Sequence, residues 1–140
     1  MSKHWIDPES CSSLAVLVET VAAPLLIQHE SAVCMEMDIP VGLAIPANPV
    51  LIAEMLQTLV SQALAEMPDG GDLNIMACET AGGVELELAD SGCDVDARAK
   101  SIPLAAAAIG AKLDWRNCAQ GGASVTIAFP PKREAGRVAA

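Results

Sequence analysis

The 140-residue sequence predicts an α/β fold, more narrowly an α+β two-layer sandwich in which helices cover one face of a mixed, mostly antiparallel sheet. Three observations carry this. Helix-like and strand-like stretches run in the order helix, strand, helix, two strands, helix, two strands. Each of the two strand pairs is joined by a short Gly-containing turn, which marks a hairpin. No internal repeat or linker divides the chain, so hairpins and helices must share one core.

The elements follow in order. "DPESCSSLAVLVETVAAPLLIQHES" opens with capping residues and repeats apolar positions at helical spacing through Leu14, Leu17, Val18, Val21 and Leu25. Pro24 should kink or interrupt that helix unless it opens a new turn. "AVCMEMDIP" sets Val33, Met35 and Met37 against Cys34, Glu36 and Asp38, a strand with one buried face. "VGLAIPANP" reads as a short extended connection. Asn48 then caps a long helix with Pro49 in its first turn, and Ile52, Met55, Leu56, Leu59, Val60, Ala63, Leu64 and Met67 form its apolar stripe.

"PDGG" ends that helix. "DLNIMACET" and "GVELELAD" form the first hairpin about Ala81-Gly82-Gly83. A polar loop, "SGCDVDARAKS", leads to a short Ala-rich helix, "PLAAAAIGA". "KLDWRNC" and "ASVTIAFP" form the second hairpin about "AQGG". Residues 1–11 are an N-terminal segment, 12–130 the folded domain, and 131–140 a tail expected to be disordered.

A chain of this length buries roughly two-thirds of its unfolded surface. It is 52% hydrophobic but only 2% aromatic, so the core must be aliphatic. Met35, Met37, Met55, Met67 and Met76 read as core filler. The net charge of −10 disfavours nucleic acid and anionic membrane as partners, because both are held by Lys and Arg. The same charge works against an unaided site for a polyanion such as ATP. Cys11, Cys34, Cys78, Cys93 and Cys118 are odd in number and widely spaced, without a Cys-x-x-Cys, which suggests neither a disulfide framework nor a zinc site. "MSKHWIDPES" lacks the apolar stretch of a signal peptide, and apolar runs fall far below the ~20 residues of a membrane span. A reduced cytoplasm is the expected compartment.

The residues that bear on function lie in "GVELELADSGCD". This stretch, the long helix "NPVLIAEMLQTLVSQALAEMPDGG", the opening "LAVLVETVAAPLLIQHESAVCMEMDIP" and the closing "IGAKLDWRNCAQGGASVTIAFP" resemble, in that order, the ATP-binding domain of sensor histidine kinases. That domain has the GHKL or Bergerat ATP-binding fold, shared with gyrase. The resemblance covers residues 12–130 and implies a site at four positions.

In the family an Asn of the long helix holds Mg²⁺ against the phosphates within Asn-x-x-x-Asn-Ala. The matching run here is Thr58 to Ala63, in which Gln62 keeps an amide oxygen one methylene further out. Mg²⁺ tolerates little error in its octahedral geometry. The acid that accepts the adenine amino proton matches Asp90, and the first glycine of the motif matches Gly92. The second glycine is replaced by Asp94. A Thr beside the adenine-binding Asp matches Ala123 or Ser124, with Ser124 taken as the candidate.

The phosphate-cradling lid, a long Gly-x-Gly loop in active kinases, is reduced to Cys93 through Ser101, followed by Ile102-Pro103. Nothing before Ser12 resembles the helical hairpin that carries the phosphoacceptor, and His4 and His29 read as plain surface histidines.

The resemblance therefore implies a degenerate ATPase domain without catalytic or metal-binding residues. No cofactor is expected, and any hold on ATP and Mg²⁺ would be weak. Such a domain would act as a regulatory or protein-interaction module in bacterial two-component-type signalling, with a receiver domain or a kinase as partner, and it allows a homodimer. The alternative is a small ATP-binding protein kinase of the anti-sigma-factor or histidine kinase type. A third reading makes the chain a fragment of a longer sensor, against which the Met1 start and the "REAGRVAA" end argue weakly.

Without the resemblance, Asp90 and Gly92 are a strand-end turn in which Asp caps local amides and Gly takes a positive φ. Asp94 and Asp96 then form a solvated acidic loop. Cys93 has nothing basic beside it in sequence to lower its pKa.

Overall fold

Capping chemistry sets where the helices begin. A computed structural model describes residues 7–98 and 102–131. Ser13 Oγ accepts the Val16 amide at 3.3 Å and starts helix α1, Leu14–Gln28. Asn48 Oδ1 accepts the amides of Val50 at 2.9 Å and Leu51 at 3.3 Å, starting helix α2, Pro49–Ala65. The short helix α3, Leu104–Ile109, ends on Gly110 in the left-handed conformation, φ 72°. Strands β1 (Val33–Asp38), β2 (Gly71–Thr80), β3 (Gly83–Asp90), β4 (Lys112–Asn117) and β5 (Ala123–Ala128) lie between them.

The five strands are ordered β1-β2-β3-β5-β4. Only β1 and β2 are parallel, as the α2 crossover between them requires, and both hairpins pair antiparallel. The central β3–β5 pair is antiparallel too and sets Asp90 opposite Ala123. All three helices lie on one face. Leu14, Leu17 and Val18 of α1, and Ile52, Met55, Leu56 and Leu59 of α2, pack with Leu73, Ile75, Leu86, Leu88 and Ile127 of the sheet. The other face turns Glu36, Asp38, Asn74 and Glu85 to solvent, so the sandwich has two layers. Element order, sheet type and helix placement all match the reading from sequence.

Three details correct it. Helix α1 runs through Pro24 to Gln28 without interruption. Proline removes the amide that would bond to the Thr20 carbonyl, but Pro24 lies on the exposed side, where water can take that acceptor. Met76 is not core filler: strand alternation puts it on the open face, 43% exposed. His29 is not a plain surface histidine either, because its Nε2 lies 2.9 Å from the Met67 carbonyl and ties the end of α1 to the end of α2. The expected disordered tail and His4 fall outside the described residues.

Replacing Pro24 restores a helical hydrogen bond at a solvent-facing position. Pro24→Ala should therefore raise the unfolding free energy by about 1–3 kcal/mol. The check is a higher urea midpoint with an unchanged slope.

Candidate functional site

β3 alternates buried and exposed side chains, and the alternation delivers Asp90 to the helix-facing side at the strand's last position, 7% exposed. Ser91 closes the strand end. Its amide donates to the Asp72 carbonyl at 3.1 Å, and its Oγ accepts the Asp72 amide at 2.9 Å. The chain then turns back over Asp90. The Gly92 amide donates to Asp90 Oδ1 at 2.9 Å. This is the local Asp cap expected of a strand-end turn.

Gly92 does not take a positive φ, contrary to expectation. A glycine is needed there for close approach, since an added Cβ would lie 2.7 Å from both the Cβ and the carbonyl oxygen of Glu66 at the end of α2. On the other side, Gly122 (φ +90°) sits under Asp90, and a Cβ there would collide with the Asp90 carbonyl.

The polar loop after Asp90 holds a residue that the sequence analysis passed over. Past a 3-10 turn at Val95–Ala97, whose first amide donates to Asn117 Oδ1 at 2.7 Å, Arg98 folds back into the interior. Its Nη1 donates to Asp90 Oδ2 and its Nη2 to Asp90 Oδ1, both at 2.9 Å, and Nη2 also donates to the Cys93 carbonyl. The side chains of Arg98 and Asp90 are 2% and 5% exposed. This is a bidentate buried ion pair, and it engages both carboxylate oxygens of Asp90. Hydrogen bonding to Asp90 holds the Arg98 pKa above its ordinary value despite burial.

Cys93 donates its thiol to Glu66 Oε1 at 2.9 Å, which anchors the loop to α2. That hydrogen bond, with burial and the Glu66 charge, pushes the Cys93 thiol pKa up. Arg98, a basic neighbour not evident in the linear sequence, pulls the other way without prevailing. Cys118, at the end of the neighbouring hairpin, is also raised, first by burial and then by the charges of Asp90 and Glu87.

The remaining candidates fall as follows. Gln62 lies half-buried on α2. Ala123, not Ser124, pairs with Asp90; Ser124 pairs with Ala89 and Arg116, one residue out of step, which corrects the choice between the two. Asp94 and Asp96 stay exposed in the loop, and among the described residues no cluster of three or more His, Cys, Asp or Glu could hold a metal ion. Pro103 precedes α3, offering no amide and no side-chain cap, while Ile102 and Leu104 beside it are 67% and 90% exposed. A cavity of about 330 Å³, lined by Leu43, Ile45, Pro46, Val84 and Pro130, lies at the far end of the β2–β3 hairpin, away from Asp90. Sequence alone offered no signal that singled out Arg98, since Lys100 stands two residues on in the same loop; its burial was not encoded in any local pattern.

No protein-family model matches the chain, and no curated protein matches it significantly. Solved structures do. The catalytic domain of histidine kinase ThkA, in a nucleotide-free form, superposes with a TM-score of 0.69 at 18% identity, over 87% of this chain and 96% of that one. Mycobacterial sensor histidine kinase MprB gives 0.66 at 13% identity, over 86% and 96%. ThkA in complex with the response regulator protein TrrA gives 0.66 at 18% identity, over 86% of this chain and 41% of that one. At these identities the likeness is one of fold. The chain has the histidine-kinase-type ATPase (GHKL) fold. No helix among the described residues is long and apolar enough to cross a membrane.

Two outcomes follow from this geometry. Asp90→Ala leaves a buried guanidinium without its counter-charge and should cost about 3–5 kcal/mol, measured by denaturant unfolding. A raised pKa lowers the thiolate fraction at any given pH, and the thiolate is the nucleophile. Cys93 and Cys118 should therefore react with iodoacetamide at pH 8 several-fold more slowly than the exposed Cys34 and Cys78, read by peptide mass spectrometry.

Proposed function

We propose that this protein is a degenerate histidine-kinase-like ATPase domain that works as a regulatory or protein-interaction module in bacterial two-component-type signalling, without productive ATP binding. The observation that carries this reading is the Asp90–Arg98 pair: the carboxylate at the base position already has both oxygens bound within the chain. The residues around it do not fit Mg·ATP. Gln62 stands where the family has a metal-holding Asn, Asp94 adds a negative charge where the family has a glycine, and Pro103 removes an amide at the start of α3.

What the site region does offer is a protein-facing surface. Ile102 and Leu104 project into solvent beside the loop, and apolar side chains exposed together at a former ligand site suit a macromolecular partner. A receiver domain or a kinase is the partner class we favour, and the structural neighbour ThkA is itself found with a response regulator. The working compartment under this reading is the cytoplasm.

The competing reading is a small ATP-dependent histidine or serine protein kinase, favoured by the retention of Asp90 and Gly92 at the strand end. Calorimetric titration with ATP and ADP, with and without Mg²⁺, separates the two. No heat at millimolar nucleotide is expected. Binding tighter than about 100 μM (roughly −5.5 kcal/mol) that disappears in Asp90→Asn would overturn the proposal in favour of the kinase.

A further inference from the structure

The interior of the 91–98 loop presents acceptors where a nucleotide base needs both donors and acceptors. Asp90 Oδ1, Asp90 Oδ2 and the Cys93 carbonyl converge on one spot, and the two terminal nitrogens of Arg98 satisfy all three. The Gly92 amide does not face this spot as a free donor; it is spent on Asp90 Oδ1, where it fixes the carboxylate's orientation. The pocket walls are tight, since a Cβ at Gly92 would also come within 3.1 Å of Arg98 Nη2. A planar group with N–H donors on two adjacent nitrogens and a positive charge matches this acceptor set. An adenine edge sets a ring-nitrogen acceptor beside its amino group, and that acceptor would oppose a carboxylate oxygen.

Arg98 engages end-on. Both contacts to Asp90 use the terminal nitrogens, whereas Nε is buried with no hydrogen-bond partner among the described residues. Recognition therefore draws nothing from Nε or from the aliphatic stem beyond packing. The loop that carries the arginine is held independently of it, by the Cys93 thiol on Glu66 and the Val95 amide on Asn117. The receptor groups and the occupant thus belong to the same segment but are fixed by different contacts.

From this we infer that the turn at Asp90 is a guanidinium-binding site occupied in cis: Asp90 and the Cys93 carbonyl are the receptor, Gly92 sets their geometry, and Arg98 is the ligand. This deepens the reading of Asp90 as a spent nucleotide position and rests on it. The chemistry of the site has changed class, from a base to an alkylguanidinium such as an arginine side chain.

Chemical rescue tests the inference. Arg98→Ala removes the ligand and leaves the receptor, and ethylguanidinium is the missing piece. At about 100 mM it should raise the thermal midpoint of Arg98→Ala by several degrees, as a ligand binding only the folded state does. The wild-type protein, its site filled, should show no such rise, and neither should Arg98→Ala/Asp90→Asn. No rise in Arg98→Ala, or an equal rise in either control, overturns the inference. If Arg98→Ala does not fold alone, folding induced by ethylguanidinium, followed by circular dichroism, supports the site, and its failure overturns it.

Arg98→Lys gives a second reading. A single ammonium cannot span both carboxylate oxygens, so it should unfold several degrees below the wild type, and a wild-type midpoint would overturn bidentate recognition. These outcomes are separate from the nucleotide titration: ATP binding by the wild type would sink the proposed function, whereas failed rescue would sink only the guanidinium site.

Discussion

Helix α2 has to satisfy three neighbours with aliphatic side chains alone. It packs between α1 and α3 and lays Ile52, Met55, Leu56, Leu59 and Val60 onto the sheet, all of them at most 2% exposed. With no aromatic side chain in that set, cohesion comes from many close contacts of branched chains and methionine, each buried side chain contributing roughly 1.5–3 kcal/mol. The same helix, as the crossover between β1 and β2, fixes the single parallel pair of the sheet. Its C-terminal end then supplies Glu66 and Met67, which fasten the Asp90 loop and the end of α1. Its packing therefore positions both the fold and the site.

The Asp90–Arg98 pair is a different kind of constraint. A buried ion pair does not outperform well-packed apolar groups in stability, because desolvation offsets most of the Coulombic gain. What it gives is definition: two short, oriented hydrogen bonds in a dry pocket allow the loop one arrangement. A long glycine-rich lid depends on being free to move over phosphates. This loop instead is short, anchored at Cys93, Val95 and Arg98, and closed on itself. The shortness of the loop and its internal ion pair are physically linked, since only a short loop brings Arg98 back over the strand end from which it started.

Outside the core the surface divides into the open face of the sheet and several exposed apolar side chains. A chain of net charge −10 presents carboxylates across that open face, whereas the most exposed large apolar side chains are scattered: Ile102 and Leu104 at the start of α3, Val41 after β1 and Ile27 at the end of α1.

Much was determined by local sequence. Ser13 and Asn48 fixed helix starts, Gly82-Gly83 and Gly121-Gly122 fixed hairpin turns, and period-two alternation in "GVELELAD" put Asp90 on the inner face. These features are encoded within a few residues, so they survive without knowledge of the fold. Pro24 failed as a helix breaker, and Met76 as core, because solvent exposure decided both and exposure is a property of the assembled layers. The register that set Ala123 rather than Ser124 opposite Asp90 needed both strands in place. Arg98 is the extreme case. In sequence it is one of two cations, with Lys100, in a polar loop; only the approach of β3, the end of α2 and β4 around that loop removes the water and leaves Asp90 as its partner. Short-range chemistry therefore determined the elements and the acid at the site, and long-range packing decided which charge that acid would bind.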